Sequence, residues 1–195
     1  MDWPENLLIL LGISLDIFAG MECKGSLLAK IEKKQLVLAC AVVSVWQAAA
    51  LFAGNILSTL LLRKDGIAEN EMFIGSVIAV AIFICLGVRL MSKAIKNETV
   101  QERREAGIKV TNYVHMVKVA GFYTLLTGIA FGFVGTKLID TVIMMAVFSV
   151  LVVIGGLYTG YHFGFQQKNK AYIAGAVLLW LAGADIVLRN VLQVI

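Results

Sequence analysis

Long apolar runs separated by short charged stretches dominate the hydrophobic pattern of this chain. A helix needs about 20 mainly apolar residues to cross the hydrocarbon core of a bilayer, and six runs approach or exceed that length. They lie near Leu7–Met21, Leu36–Leu62, Met72–Leu90, Tyr113–Val134, Thr141–Phe163 and Tyr172–Leu192. The pattern therefore predicts an all-α integral membrane protein with six transmembrane helices.

The longest polar stretch, residues 92–110, divides the predicted spans into two sets of three. Two related halves with an odd number of spans each must be inverted in the membrane, an arrangement typical of secondary transporters. We expect one membrane domain over 1–195, with a first half near 1–91, a cytoplasmic linker at 92–110 and a second half near 111–195. Three internal echoes agree with related halves: Ser14-Leu15 with Thr124-Leu125, Gly54 with Gly160, and Gly87 with Gly183.

The composition excludes a soluble globule, because 59% of the residues are apolar and only 15% are charged. The mean hydropathy of +0.86 points the same way. The sequence holds no P-loop, other nucleotide-binding signature or catalytic constellation, so we expect neither an enzyme nor a resident cofactor. The formal net charge of +4 sits in a few loops, where it reports orientation in the lipid bilayer and does not indicate nucleic acid binding.

The basic loops predict which side of the membrane each helix end faces. Lysine and arginine are retained on the cytoplasmic side, which makes both chain termini external in a cytoplasmic-membrane protein. The basic set between spans one and two, three and four, and five and six is Lys24, Lys30, Lys33, Lys34, Lys93, Lys96, Arg103, Arg104, Lys109, Lys168 and Lys170. The other loops hold Arg63, Lys64 and Lys137, with acidic residues beside them.

Asp16 lies inside the first predicted span, where an ionised side chain is expensive and usually functional. It should face the interior of the helix bundle with a partner or a ligand, which makes it the principal candidate for binding a cation. The alternative is a protonated or helix-packing aspartate with no role in transport. Ser14 could add an oxygen, although a serine hydroxyl can equally bond its own backbone.

Two further polar residues have competing interpretations. Asp185 lies deep in span six, where it either pairs with Arg189 one helical turn later or turns toward Asp16 as a second carboxylate. Gln47 in span two either ligates a cation through its amide oxygen or bridges helices. Carboxylate, hydroxyl and amide oxygens suit magnesium, calcium and manganese better than copper or zinc.

The stretch Leu11–Ala19 reads Leu-Gly-Ile-Ser-Leu-Asp-Ile-Phe-Ala and resembles the signature that opens the MntP-type manganese efflux pumps, roughly Gly-x-Ser-hydrophobic-Asp-Ala-Phe-Ala. Lys24-Gly25, the segment Leu86–Leu90 and the charged central loop are also similar to that family's layout. The resemblance implies a transporter whose cargo is manganese(II), with Asp16 as a ligand.

The chain departs from the family pattern at two acids. The first motif should recur with an aspartate in the second half, but the matching stretch Tyr123–Gly128 puts Leu126 at that position. The family's acid in span two is replaced by Gln47. Asp185 is the new intramembrane carboxylate that could compensate.

These observations favour a secondary transporter that exports a small cation, manganese(II) by resemblance, through Asp16, Ser14, Gln47 and Asp185. An exporter of an amino acid or another organic cation is the first alternative, since a single carboxylate suits an ammonium group. A membrane scaffold that keeps the fold without transport is the second. The sequence leaves open whether the chain forms a homo-oligomer.

Overall fold

The computed structural model describes residues 3–28, 30–64, 71–96, 110–164 and 166–188, and these residues form an all-helical bundle. The helices within them are α1 (Trp3–Ser26), α2 (Lys33–Lys64), α3 (Glu71–Lys96), α4 (Val110–Val134), α5 (Leu138–Phe163) and α6 (Lys168–Ile186). The six predicted helices are thus present in the predicted order.

Five of these helices, α1 to α5, are long and apolar enough in their described residues to cross a membrane. The sixth predicted span, Tyr172–Leu192, runs past residue 188, where the described part of the chain ends. Large apolar side chains cover the outer surface, as shown by Val45 at 69% and Ile139 at 73% exposure. Such a surface is compatible with the hydrocarbon of a bilayer and is unfavourable in contact with water.

The helices extend beyond the apolar runs that predicted them. α2 begins at Lys33, and α3 continues to Lys96, five residues into the predicted linker 92–110. Backbone hydrogen bonding does not stop where the apolar residues stop, because charged side chains are good helix formers at the membrane interface. The rest of the linker before Val110 lies outside the described residues.

Glycines bring the helix pairs α1–α5 and α2–α4 into backbone contact, and these two pairs pack most extensively. A Cβ at Gly25 would overlap the carbonyl oxygen of Leu157 on α5, and a Cβ at Gly160 would overlap that of Glu22 on α1. The other pair repeats this arrangement. Gly128 on α4 faces the carbonyl of Leu51, and Gly54 on α2 faces the carbonyl of Leu125.

The interior of the bundle contains polar side chains, although much of the outer surface is apolar. Several hydroxyl and amide side chains from all of the first five helices are fully buried, namely Ser14, Gln47, Ser58, Ser76, Thr124, Thr127 and Ser149. Polar groups facing inward and apolar groups facing outward are the arrangement expected of a membrane bundle that encloses a polar path or site. Asp16 belongs to this interior.

Candidate functional site

The Asp16 carboxylate lies on the inner side of α1, where the residue is only 8% exposed. Both of its oxygens bind cations from α3. Arg89 donates from Nη1 to Oδ2 at 3.0 Å, and Lys93 donates from Nζ to Oδ1 at 2.7 Å. Arg89 and Lys93 are one helical turn apart, so α3 presents them on one face. The intramembrane carboxylate therefore has partners in this conformation.

Aromatic rings hold the two cations in place. The Arg89 guanidinium carbon lies 3.2 Å from the centroid of the Tyr123 ring on α4, and the Lys93 nitrogen lies 5.4 Å from that of Tyr172 on α6. Both distances are within the range of cation–π attraction. The Arg89 side chain is 19% exposed and that of Lys93 is 37% exposed, so Lys93 is the less enclosed of the two.

A cavity of about 270 Å³ opens beside Asp16. It is lined by Asp16, Ile17, Gly20, Lys93, Met116, Val119, Ala120 and Tyr172. The cavity lies between α1, α3, α4 and α6, near the ends at which α1 and α3 finish and α4 and α6 begin. It is large enough for a hydrated ion or a small organic cation next to the carboxylate.

The charges around this cavity sum to a positive value. Asp16 contributes one negative charge, while Arg89 and Lys93 contribute two positive charges. A metal ion that binds the Asp16 oxygens would be repelled by the two protein cations that already contact them, and this repulsion favours the withdrawal of at least one of the two. No cluster of three or more His, Cys, Asp or Glu side chains occurs within the residues that the structure describes.

Ser14 lies two residues before Asp16 on α1 and is fully buried. Its hydroxyl oxygen has no hydrogen-bond partner among the described residues, so it does not bond its own backbone. An unpartnered buried hydroxyl is costly in a protein interior and is normally explained by a water molecule, an ion or a strained site. Ser14 thus has an unused oxygen, but it does not line the cavity beside Asp16.

Gln47 bridges helices. Its Oε1 atom accepts a hydrogen bond from the hydroxyl of Thr124 on α4, and the residue is fully buried. Its Nε2 atom has no partner in the described part of the chain. The bridging interpretation is therefore seen directly, and the amide keeps unused hydrogen-bonding capacity.

Asp185 lies in the last turn of α6, whereas Tyr172, which lines the Asp16 cavity, lies in the first turns of the same helix. Thirteen residues of α-helix separate them, which corresponds to about 20 Å along the axis. The structure does not bring Asp185 into the Asp16 cavity. Its predicted partner Arg189 lies outside the described residues.

Arg89 and Lys93 were not predicted from the sequence as partners of Asp16. The sequence does contain a signal for Arg89. This residue falls inside the predicted span Met72–Leu90, and an intramembrane arginine normally pairs with a carboxylate. Glu22, which is fully buried six residues after Asp16 on α1, was not predicted either. Its Oε1 atom accepts a hydrogen bond of 2.8 Å from the backbone N–H of Gln167, just before α6.

Comparison with known proteins gives a consistent set of matches. A family model described as "Mntp: Putative manganese efflux pump" matches residues 30–187. Three similar proteins carry the name "Putative manganese efflux pump MntP". The protein from Acetivibrio thermocellus is 26% identical over 182 residues, which cover 93% of this chain and 88% of that protein.

The other two relatives also match over nearly their full length. The protein from Desulfitobacterium hafniense is 25% identical over 186 residues, covering 95% of this chain and 94% of its own. The protein from Mannheimia succiniciproducens is 21% identical over 181 residues, covering 93% of each chain. No solved structure matches.

Proposed function

The chain belongs to the family described as putative manganese efflux pumps, and we propose on that premise that it is a secondary transporter exporting manganese(II) across the cytoplasmic membrane. The observation that carries the proposal beyond family membership is the buried Asp16 carboxylate inside an apolar helix, next to a cavity of about 270 Å³. Ionisable residues inside membrane helices usually mark a binding site or an ion path. The protein moves its cargo without converting it, so it is not an enzyme.

Asp16 is the proposed principal ligand, and Ser14 and Gln47 are its proposed helpers. Oxygen donors of these kinds suit manganese(II). The unpartnered Ser14 hydroxyl supports its assignment. The Gln47 Oε1 atom accepts one hydrogen bond from Thr124 and keeps a second lone pair for a cation. Asp185 is the fourth proposed ligand. Its distance of about 20 Å along α6 from the cavity means that it joins Asp16 only if α6 moves.

The two halves, α1–α3 and α4–α6, are proposed to be inverted repeats within one membrane domain. The reciprocal glycine contacts support this. Between α1 and α5, Gly25 contacts Leu157 and Glu22 contacts Gly160. Between α4 and α2, Gly128 contacts Leu51 and Leu125 contacts Gly54 in the same way. This register agrees with the Gly54–Gly160 echo. It differs from the Ser14–Thr124 echo, because it makes Val119 the counterpart of Asp16.

The proposed orientation has both termini outside the cytoplasm and the basic ends of α3 and α4 inside it. The argument is the uneven distribution of lysine and arginine between the two sets of loops. In that orientation the Asp16 cavity lies toward the cytoplasmic end of the bundle. An exporter must collect its cargo from that side.

The test of the proposed function is manganese(II) export by cells or vesicles that contain a measured amount of inserted protein. Asp16→Asn keeps the size of the side chain and removes its charge, so we expect folded protein with export reduced to background. Asp140→Asn is the matched control, because Asp140 is exposed in the first turn of α5. Wild-type export by Asp16→Asn would remove Asp16 from the proposed site.

An organic cation is the second candidate cargo, and one observation favours it. The Lys93 ammonium group already occupies Asp16 beside the Tyr172 ring, so the site accommodates an amine. Competition separates the two cargoes. A primary amine that inhibits manganese(II) export without being exported is only a blocker, whereas export of labelled amine and no export of manganese(II) would favour the organic cargo. A chain that exports neither would be a membrane scaffold.

A further inference from the structure

We infer that Lys93 is a tethered competitor for the cargo cation at Asp16: its ammonium group holds the carboxylate when no metal is bound, leaves when the metal arrives, and returns to expel it. This inference rests on the proposed function, because it concerns the same carboxylate. It assigns Lys93 a specific part in transport, beyond neutralising a buried charge.

The geometry of the ion pairs carries the first step. Lys93 donates to one oxygen of Asp16 at 2.7 Å and Arg89 donates to the other at 3.0 Å. Each oxygen keeps a second lone pair, but a metal ion bound there would lie close to a protein cation and be repelled by it. With Arg89 and Lys93 both in place, a divalent ion would raise the charge around one carboxylate from +1 to +3. At least one of the two protein cations must therefore withdraw.

Their surroundings decide which cation withdraws. The Arg89 guanidinium carbon lies 3.2 Å from the centroid of the Tyr123 ring, and the side chain is 19% exposed. Lys93 is 37% exposed, and its nitrogen is 5.4 Å from the Tyr172 ring centroid. Lysine also has a flexible stem and a strongly hydrated ammonium group. Lys93 leaves at the smaller cost, and Arg89 stays.

The packing of the helices gives the exchange a mechanical consequence. Among the described residues, α1 packs closely against α5 and α6, and α3 packs against α6 and α4, but α1 and α3 do not form a closely packed pair. The side chains of Arg89 and Lys93 span the gap between them. Replacing the Lys93 contact by a metal ion on α1 loosens a tie between helices of the same half, which is the kind of change that alternating access requires.

The same lysine accounts for release. A divalent ion held by Asp16 can dissociate without a large conformational strain, because the Lys93 ammonium group beside it competes for the same carboxylate. When Lys93 returns, it restores the hydrogen bond to Asp16 and the empty carrier again holds a compensated carboxylate.

The experiment measures manganese(II) binding and export in the full-length protein, with Lys93→Gln as the main variant. Binding is followed by the electron paramagnetic resonance signal of free manganese(II), and export by uptake into inverted vesicles. Removing the positive charge that contacts Asp16 should tighten manganese(II) binding by on the order of tenfold or more. Because the returning cation is lost, the maximal export rate per inserted molecule should fall while KM also falls.

Three further variants complete the design. Lys93→Met keeps the apolar stem beside Tyr172 and provides a second neutral form if Lys93→Gln inserts poorly. Lys93→Arg keeps the charge and should bind manganese(II) no more tightly than the wild type. Lys96→Gln is the matched control, because Lys96 is exposed in the last turn of α3, and it should leave both KM and the maximal rate unchanged.

The outcomes separate this inference from the proposed function. If the wild type neither binds nor exports manganese(II), the proposed function fails. If the wild type binds the ion and the neutral Lys93 variants bind it equally or more weakly, the tethered-competitor role is wrong. A merely structural lysine would lower the amount of folded protein and would not lower KM.

Discussion

The backbone N–H of Gln167 donates a hydrogen bond of 2.8 Å to the Oε1 atom of Glu22. Gln167 directly precedes α6, and Glu22 is fully buried near the end of α1. The carboxylate of one helix therefore caps the N-terminus of another, where unsatisfied backbone N–H groups favour negative charge. Lys168, which is 5% exposed, adds its positive charge close to the same carboxylate. Glu22 ties α1 to the start of α6.

Glu22→Leu should destabilise the protein by about 1–3 kcal/mol, because it leaves the N-terminus of α6 without its acceptor inside the bundle. Glu22→Gln keeps an oxygen acceptor and should lose less. Thermal unfolding in detergent measures the difference, and Glu32→Gln, an exposed position before α2, is the control. Equal unfolding temperatures for Glu22→Leu and the wild type would show that this cap does not support the fold.

Gly160→Ala and Gly155→Ala, two substitutions on α5, should have opposite effects. A Cβ at Gly160 would overlap the carbonyl oxygen of Glu22, and a backbone atom cannot move aside as a side chain can. A Cβ at Gly155 would lie 3.5 Å from the Phe18 ring, which is an ordinary contact. We expect a loss of about 2–3 kcal/mol at Gly160 and a change between zero and a gain of about 1 kcal/mol at Gly155. Unfolding temperatures of the purified variants check both.

Gly54→Ala gives the corresponding test in the other half. If the halves are inverted repeats, the α2–α4 contact is equivalent to the α5–α1 contact, and Gly54→Ala should cost as much as Gly160→Ala. The reason is the same, because a Cβ at Gly54 would overlap the carbonyl oxygen of Leu125. An unfolding temperature close to the wild-type value for Gly54→Ala alone would count against the equivalence of the two contacts.

The helices were predictable from the sequence because the membrane makes the signal strong. Each span must pair its backbone N–H and C=O groups within the helix and present apolar side chains to the lipid. Its length and composition alone therefore locate it. The ends were harder to predict. α3 continues through Lys93 to Lys96, since nothing in the apolar pattern marks where a helix with charged residues stops at the interface.

The candidate site was only partly predictable, for a physical reason that Asp16 and Asp185 illustrate. The cost of a buried carboxylate identifies both residues from the sequence. Which partner each one finds depends on how helices far apart in sequence pack together. Asp16 meets Arg89, 73 positions later, while Asp185 lies about 20 Å along α6 from the same cavity. Periodicity along one helix carries no information about that choice.

The orientation can be tested with single cysteines at the ends of two helices. In a background without Cys23, Cys40 and Cys85, we expect Lys137→Cys to react with a membrane-impermeant maleimide added to intact cells. Lys96→Cys should react only after the cells are permeabilised, since the basic loops face the cytoplasm. Labelling of both variants in permeabilised cells is the control for accessibility. The reverse pattern in intact cells would invert the proposed topology.

A divalent ion would favour a second carboxylate beside Asp16, and the cavity indicates where to add it. Val119 on α4 lines the cavity together with Asp16, and it is the counterpart of Asp16 in the register set by the glycine contacts. Leu126, at which the sequence motif alone would place the acid, lies two turns or about 10 Å further along α4. Val119→Asp should therefore strengthen manganese(II) binding, and Leu126→Asp should not.

The expected gain follows from the charges. Asp16, Arg89 and Lys93 sum to +1, so a carboxylate at position 119 brings the empty site to neutrality and gives a divalent ion two anionic oxygen groups once Lys93 withdraws. Opposite charges about 4 Å apart near a protein surface attract strongly enough to change affinity by on the order of tenfold or more. Val119→Asn has the same shape as Val119→Asp without the charge. It is the control, and binding is measured by electron paramagnetic resonance. If Val119→Asp binds manganese(II) no better than Val119→Asn, the added acid pairs with Lys93 instead, and the cavity beside Asp16 is not where the metal is held.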